Sequence, residues 1–227
     1  MSICSICTGG CCRRYMIDLT GYDIFNILKT LDLDLQYFIQ AVPVMEKDFE
    51  YLNSQSALFK FTDDDCKQYY RFCLRQELSK FYENTAKCMF LQEWTGKHLS
   101  SNESEEVFSR CGIYGCRPLT CAIFPARLDS SGLIGYVLDP HLNAEKKQNP
   151  ALNVCPRELD KEDFADYSGE LVKFLALHKY EMAFFRGLAA DWNENPKSLH
   201  ELFYYLKKVY TNRITYEKHI PGQGSAE

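Results

Sequence analysis

Apolar residues recur at helical spacing in three stretches of the chain, and at shorter, strand-like spacing between them. Ile24, Ile27, Leu28 and Leu31 share one helical face. Thr20-Gly21-Tyr22-Asp23 stands just before them as a capping box, with Asp in place of the usual Glu. Leu35, Phe38, Ile39 and Val42 give a second stripe, so a short helix is expected from Asp34 until Pro43 stops it. Phe164, Tyr167, Leu171, Phe174, Leu175, His178, Met182, Phe185 and Leu188 form the longest stripe and predict a helix over 162–191. Asn193-Glu194-Asn195-Pro196 breaks it. Ser198-Leu199-His200-Glu201 is a second capping box, opening a last helix to about Tyr210.

The segments between these stripes read as strands and loops. Leu58–Phe61 is strand-like, Lys87–Leu91 reads as a short buried strand, and Leu133–Leu138 reads as a strand entered through the turn at 129–132. Tyr69–Gln76 has strand-forming residues, yet Cys66, Tyr70 and Cys73 also fit one helix face, and periodicity leaves both readings open. The polar stretches 98–109 and 143–149 read as exposed loops, and 221–227 as a disordered tail. Arg110–Arg127 holds two prolines and two glycines, which implies a fixed irregular path with one helical turn after Pro118. The pattern predicts an α+β fold with a loop-rich domain over 1–157 and a C-terminal helical extension over 158–227, and the eleven cysteines, all within 1–157, make the first a small, metal-centred cysteine-cluster domain.

Composition narrows the function. A chain of 227 residues, 46% of them hydrophobic, can bury one substantial core. A net charge of −5 argues against a general nucleic-acid grip, because neutralising phosphates needs a basic surface. No apolar run approaches the ~20 residues needed to span a bilayer. The eleven cysteines matter most. Their number is odd, and the first stands at position 4, with no room for a leader before it. The expectation is a reducing, cytoplasmic setting, where clustered thiols mean metal or redox chemistry.

The thiols fall into two groups. The first is Cys4-x-x-Cys7-x-x-x-Cys11-Cys12, with Gly9 and Gly10 allowing the backbone a tight turn. A Cys-x-x-Cys loop lets two thiolates face one metal. Adjacent Cys11 and Cys12 do not easily share one tetrahedral ion, so they suit different metals, or one ligates and the other packs. The second group is Cys88, Cys111, Cys116 and Cys121, with Cys155 closing the set. Thiolates suit zinc or an iron–sulfur cluster, and an all-thiolate donor set does not choose between them. Cys66 and Cys73 lie outside both groups and are read as small buried hydrophobes. The five histidines are scattered without ligand spacing, and His141 is the one nearest the last cysteine. Arg117 has donors enough to hold backbone carbonyls or a carboxylate, or to offset the charge of a thiolate-rich cofactor site. Tyr114 is expected to pack over that site. The two C-terminal helices are read as core, with a protein-partner surface as the alternative.

The order of motifs resembles the YkgJ-type cysteine-cluster family, described as zinc- or iron-chelating. That pattern runs Cys-x-x-Cys-Gly-x-Cys-Cys, Cys-x-Phe-Leu, Cys-x-Ile-Tyr-x-x-Arg-Pro-x-x-Cys-Arg-x-Phe-Pro, then a late cysteine. Here the corresponding residues are Cys4, Cys7, Cys11 and Cys12; Cys88-Met-Phe-Leu91; Cys111-Gly-Ile-Tyr-Gly-Cys-Arg-Pro-Leu-Thr-Cys121-Ala-Ile-Phe-Pro125; and Cys155. One extra residue separates Cys7 from Cys11, the stretch from Leu91 to Cys111 is long, and Ala122 stands where the family often has Arg. The resemblance implies eight metal ligands: Cys4, Cys7, Cys11, Cys12, Cys88, Cys111, Cys121 and Cys155, with Cys116 in reserve. The cysteine pattern is also similar to that of the flagellin lysine methylase FliB, which adds an iron–sulfur oxidoreductase or methyl-transferring enzyme as an alternative. A thiol redox sensor, using cysteines near Arg13, Arg14 or Arg117, is a further one.

Overall fold

The computed structural model describes residues 9–97, 105–128, 134–136, 162–163 and 168–217. The fold is α+β. Three short helices (α1, Gly10–Arg14; α2, Gly21–Leu31; α3, Leu35–Phe38) precede the first strand, α4 (Phe49–Gln55) follows it, α5 (Leu119–Ile123) lies among the later strands, and two long helices follow (α6, Ser168–Glu194; α7, Leu199–Glu217). The strands form two-stranded antiparallel ribbons: β1 (Ile39–Pro43) with β2 (Tyr70–Leu74), β3 (Gln76–Leu78) with β4 (Ala86–Cys88), β5 (Leu91–Lys97) with β6 (Glu105–Cys111), and β7 (Ala126–Leu128) with β8 (Ile134–Tyr136). No described helix is long and apolar enough to cross a membrane.

Helix α2 starts where its capping box demands. The Thr20 hydroxyl accepts from the Asp23 backbone N–H, and the Asp23 carboxylate accepts from the Thr20 N–H. Its apolar face sends Ile24 and Ile27 into complete burial. The second stripe behaves differently. Its helix stops at Phe38 after one turn, and Ile39–Pro43 becomes strand β1, in register with β2 from Ile39↔Leu74 to Pro43↔Tyr70. β-branched Ile39 and Val42 lose little in a strand, and Pro43 sits at the end of an edge strand, where its missing N–H costs nothing. The same pairing settles Tyr70–Leu74 as a strand.

Two further expectations are adjusted. The polar loop expected over 98–109 is already strand β6 from Glu105, with Trp94 and Phe108 stacked as a cross-strand pair at 6.2 Å. The strand expected over Lys87–Leu91 is two strand ends, β4 closing at Cys88 and β5 opening at Leu91. The calls for 129–132, 143–149 and 221–227 lie outside the described residues.

The core gathers Phe38, Phe59 and Phe72 with Ile24 and Ile27 from one side, and Phe185, Leu188, Trp192, Leu202, Leu206 and Tyr210 from α6 and α7. The Phe59 ring lies 5.3 Å from Phe72 and 5.1 Å from Phe185, joining the β1–β2 ribbon to α6. The last turn of α6 is stapled to the 58–60 segment. Asn193 Nδ2 donates to the Leu58 carbonyl at 2.7 Å, Asn193 Oδ1 accepts from the Lys60 N–H at 2.8 Å, and the Trp192 indole donates to the Lys60 carbonyl at 2.9 Å. The Ser198–Glu201 capping box then opens α7 as expected.

Candidate metal centre

Cys11 and Cys12 lie on α1, which packs against β4 and its terminal Cys88. Gly9, just before α1, lets the chain lie close against β5 and β6. Its φ of 76° is left-handed, and a Cβ there would stand 2.7 Å from Leu91 Cδ1 and 3.2 Å from Ser109 Cβ. Cys111 closes β6 opposite Leu91, and the Gly112 N–H donates to the Phe90 carbonyl, turning the chain toward Tyr114–Cys116. Cys121 sits in α5, after Pro118.

Helix α5 is tied to α2 by one carboxylate. Asp23 Oδ1 accepts from the Leu119 N–H at 2.8 Å, while Oδ2 accepts from the Thr20 N–H and hydroxyl, each at 2.8 Å. Asp23 is 1% exposed, and burial pushes its carboxyl up to about 6 against the pull of those donors.

An ion-pair network ties the other segments together. Arg13 on α1 reaches Glu93 on β5 through Nη2 at 2.6 Å and Nε at 2.9 Å, and donates to Ser109 Oγ on β6 at 2.6 Å. Its guanidinium also lies over the Tyr82 ring at 4.5 Å. Ser79 Oγ donates to Glu93, and Lys87 Nζ stands 3.9 Å from Glu93 and 2.7 Å from Glu77. Arg13 and Glu93 are 1% and 3% exposed, so the pair is desolvated and depends on its full set of partners.

Cys11, Cys12, Cys88, Cys111 and Cys121 act on one another's titration. The Cys12 thiol hydrogen-bonds Cys11, and this is the main cause that lowers Cys11; Arg117 lowers it further. The same bond, burial, and the nearby Cys11, Cys121 and Cys88 push Cys12 up. Burial pushes Cys88 up to about 11, with Cys111 and Cys11 adding to it. Burial raises Cys111, with Arg117 opposing and Cys11 adding. Burial also holds Cys121 well above the usual thiol range, with Cys11, Cys88 and Cys111 reinforcing it. Five of the sequence's candidate ligands, from four separate segments, therefore lie within one another's electrostatic reach. All five are free thiols. They are neighbours rather than a closed shell: among the described residues no three Cys, His, Asp or Glu side chains are arranged to hold a metal ion. The donor set is nonetheless of one chemical kind, soft and deprotonatable, and fits zinc or iron–sulfur iron.

Arg117 lies 4.0 Å over the Tyr114 ring, and its charge favours the thiolates of Cys11 and Cys111. Tyr114 is half exposed, so this stacked pair stands at the solvent side. Cys116 is buried in the core and raised by burial. Cys73 is fully buried and its S–H donates to Asp18 Oδ1 at 3.1 Å, a structural role. Cys4, Cys7, Cys155 and His141 lie outside the described residues. The buried Arg13–Glu93 pair and the reach of Asp23 to Leu119 were not legible from spacing. Adjacency to Cys12 and the Asp of the capping box were their only traces.

No family model matches this chain, and neither does any curated protein or solved structure.

Proposed function

We propose that this is a cytoplasmic metal-binding protein that holds zinc or an iron–sulfur cluster through cysteine thiolates. Cys11, Cys12, Cys88, Cys111 and Cys121 supply the described part of the ligand set, and Cys4, Cys7 and Cys155 complete it. The observation that carries this reading is that five free thiols, from α1, β4, β6 and α5, lie within one another's electrostatic reach. The resemblance to YkgJ-type proteins supports the same set. Bound zinc would brace these segments, and a cluster would add one-electron chemistry. The chain's own contribution is positional. Arg13–Glu93 holds α1 to β5, Asp23 holds α5 to α2, and Arg117 offsets thiolate charge.

Cys121→Ser tests the reading against Cys66→Ser, whose thiol lies outside the gathering. In a chelator competition with zinc, Cys121→Ser loses metal stoichiometry or at least tenfold in affinity, a typical loss for a removed ligand or its support. Equal behaviour of the two variants refutes the ligand set.

A second reading has its own observation. Cys11 is the one thiol of the five whose thiolate is favoured, by the Cys12 S–H and by Arg117. That is the microenvironment of a reactive cysteine. Reversible oxidation of metal-free protein by peroxide at Cys11, with no metal after anaerobic purification, would favour a thiol sensor.

A further inference from the structure

The turn that carries Cys121 is too short to hold itself. Helix α5 has five residues, and its N-cap Pro118 makes no side-chain cap bond. A single helical turn does not persist without tertiary contacts. Its backbone is pinned on one side by the Leu119 N–H on Asp23. A second pin comes from α6, against which α5 packs. The hydroxyl oxygen of Thr120, the residue before Cys121, stands 3.3 Å from His178 Nε2 on α6 and 3.4 Å from the Asp18 carbonyl.

His178 is out of character with its helix face. Leu171, Leu175, Met182 and Phe185 are the buried positions of that face, and the imidazole stands half-buried among them, where the period calls for an apolar side chain. A polar ring there is costly without a partner, and Thr120 is the partner it has. Burial holds the imidazole below its usual range, with Asp18 opposing, so the ring is neutral at pH 7 and carries one N–H. With that proton on Nε2, the ring donates to Thr120 and the hydroxyl donates to the Asp18 carbonyl. With it on Nδ1, the single hydroxyl hydrogen serves one neighbour and leaves the other. The first tautomer therefore joins α6, α5 and the Asp18 segment in one chain of donors. The far end of that chain is fixed: Asp18 Oδ1 accepts from Arg71 Nη1 and Oδ2 from Ser56 Oγ, each at 2.6 Å.

We propose that His178 is a positioning residue for the Cys121 thiol, acting through Thr120 to hold α5 in place from α6. The use of that thiol as a ligand rests on the reading above. A ligand atom has to stand within about 0.2 Å of its bonding distance. Groups that fix a ligand from outside the shell carry about ten- to hundredfold in metal affinity. Helix α6 is then part of the support of the thiol site as well as of the core.

The test compares His178→Phe, which keeps a ring without its nitrogens, with Thr120→Val, which keeps the shape without the hydroxyl. Both are read on the full chain as purified. A pulse of iodoacetamide, mapped by mass spectrometry, labels Cys121 about three- to tenfold faster in either variant, the weight of one neutral hydrogen bond, and leaves Cys88 at its wild-type rate. The double variant is no faster than the singles, because both remove the same contact. Thr120→Ser, which keeps the hydroxyl, labels like the wild type, and Thr120→Val carries the test if His178→Phe fails to fold. In zinc competition His178→Phe loses about tenfold in affinity and Thr120→Ser loses none. Equal acceleration of Cys88 and Cys121 is general loosening and overturns the proposal. Wild-type labelling of Cys121 in both variants, or an additive double variant, overturns it too. Labelling needs no metal, so a chain that takes up no zinc overturns the ligand reading alone, and the labelling pattern still decides the role of His178.

Discussion

Gly9 and Glu93 are the two residues on which the approach of α1 to the hairpin most depends. At Gly9 a side chain meets two penalties together: a left-handed φ of 76° and the Leu91 methyls at 2.7 Å and 3.1 Å. Gly9→Ala should cost about 1–3 kcal/mol, read as a shift of the urea midpoint at constant slope. An unchanged midpoint would mean that α1 is not held against β5 as described. Glu93 compensates Arg13 inside the protein and stands near Lys87. Glu93→Gln leaves the Arg13 guanidinium buried without its counter-charge and should cost about 3 kcal/mol in the same experiment. A loss below about 1 kcal/mol, as for an exposed pair, would place the pair in solvent. Neither role can be read from the sequence. Gly9 looks like any flexible glycine beside cysteines, and Glu93 looks like any surface acid in a polar strand. Their importance arises from contacts across 80 or more residues.

Among the elements, the short helix α5 depends on a residue in another helix. Asp23 caps α2 and also receives the first N–H of α5, the turn that carries Cys121. Its carboxyl sits near 6 in the folded chain against an unperturbed 3.8, chiefly because it is buried. The folded protein therefore binds a proton in that window that the unfolded chain has released. Stability from this group is fully present below 3.8 and is lost as pH rises through about 6. The stability advantage of the native protein over Asp23→Asn should shrink between pH 4 and pH 7, measured by urea denaturation at each pH. A constant difference would contradict it. Capping boxes and long apolar stripes were legible, so α2, α6 and the start of α7 were predictable from local chemistry. The switch from α3 to β1 was not. Leu35, Phe38, Ile39 and Val42 satisfy a helical period, and only pairing with Tyr70–Leu74 decides against it. For the same reason Tyr70–Leu74 stayed ambiguous until its partner was known.

At the scale of the whole molecule, one apolar core runs from α2 and the β1–β2 ribbon into α6 and α7, and the thiols gather beside it. Cysteine identity and grouping were visible in the sequence, because thiols are rare and their spacing is distinctive. The gathering of Cys11, Cys12, Cys88, Cys111 and Cys121 was expected from motif order, and their mutual electrostatic reach is what the fold adds. What spacing could not supply is the scaffold between them: the Arg13–Glu93 pair and the reach of Asp23 to Leu119. These are polar contacts between distant segments, and no period records them. The measurement that bears most directly on the account is elemental analysis, with an absorption spectrum, of protein purified without oxygen. At least one zinc or cluster iron per chain, lost in Cys121→Ser and kept in Cys66→Ser, is the predicted result. A folded, metal-free protein that takes up neither zinc nor iron with sulfide would contradict it.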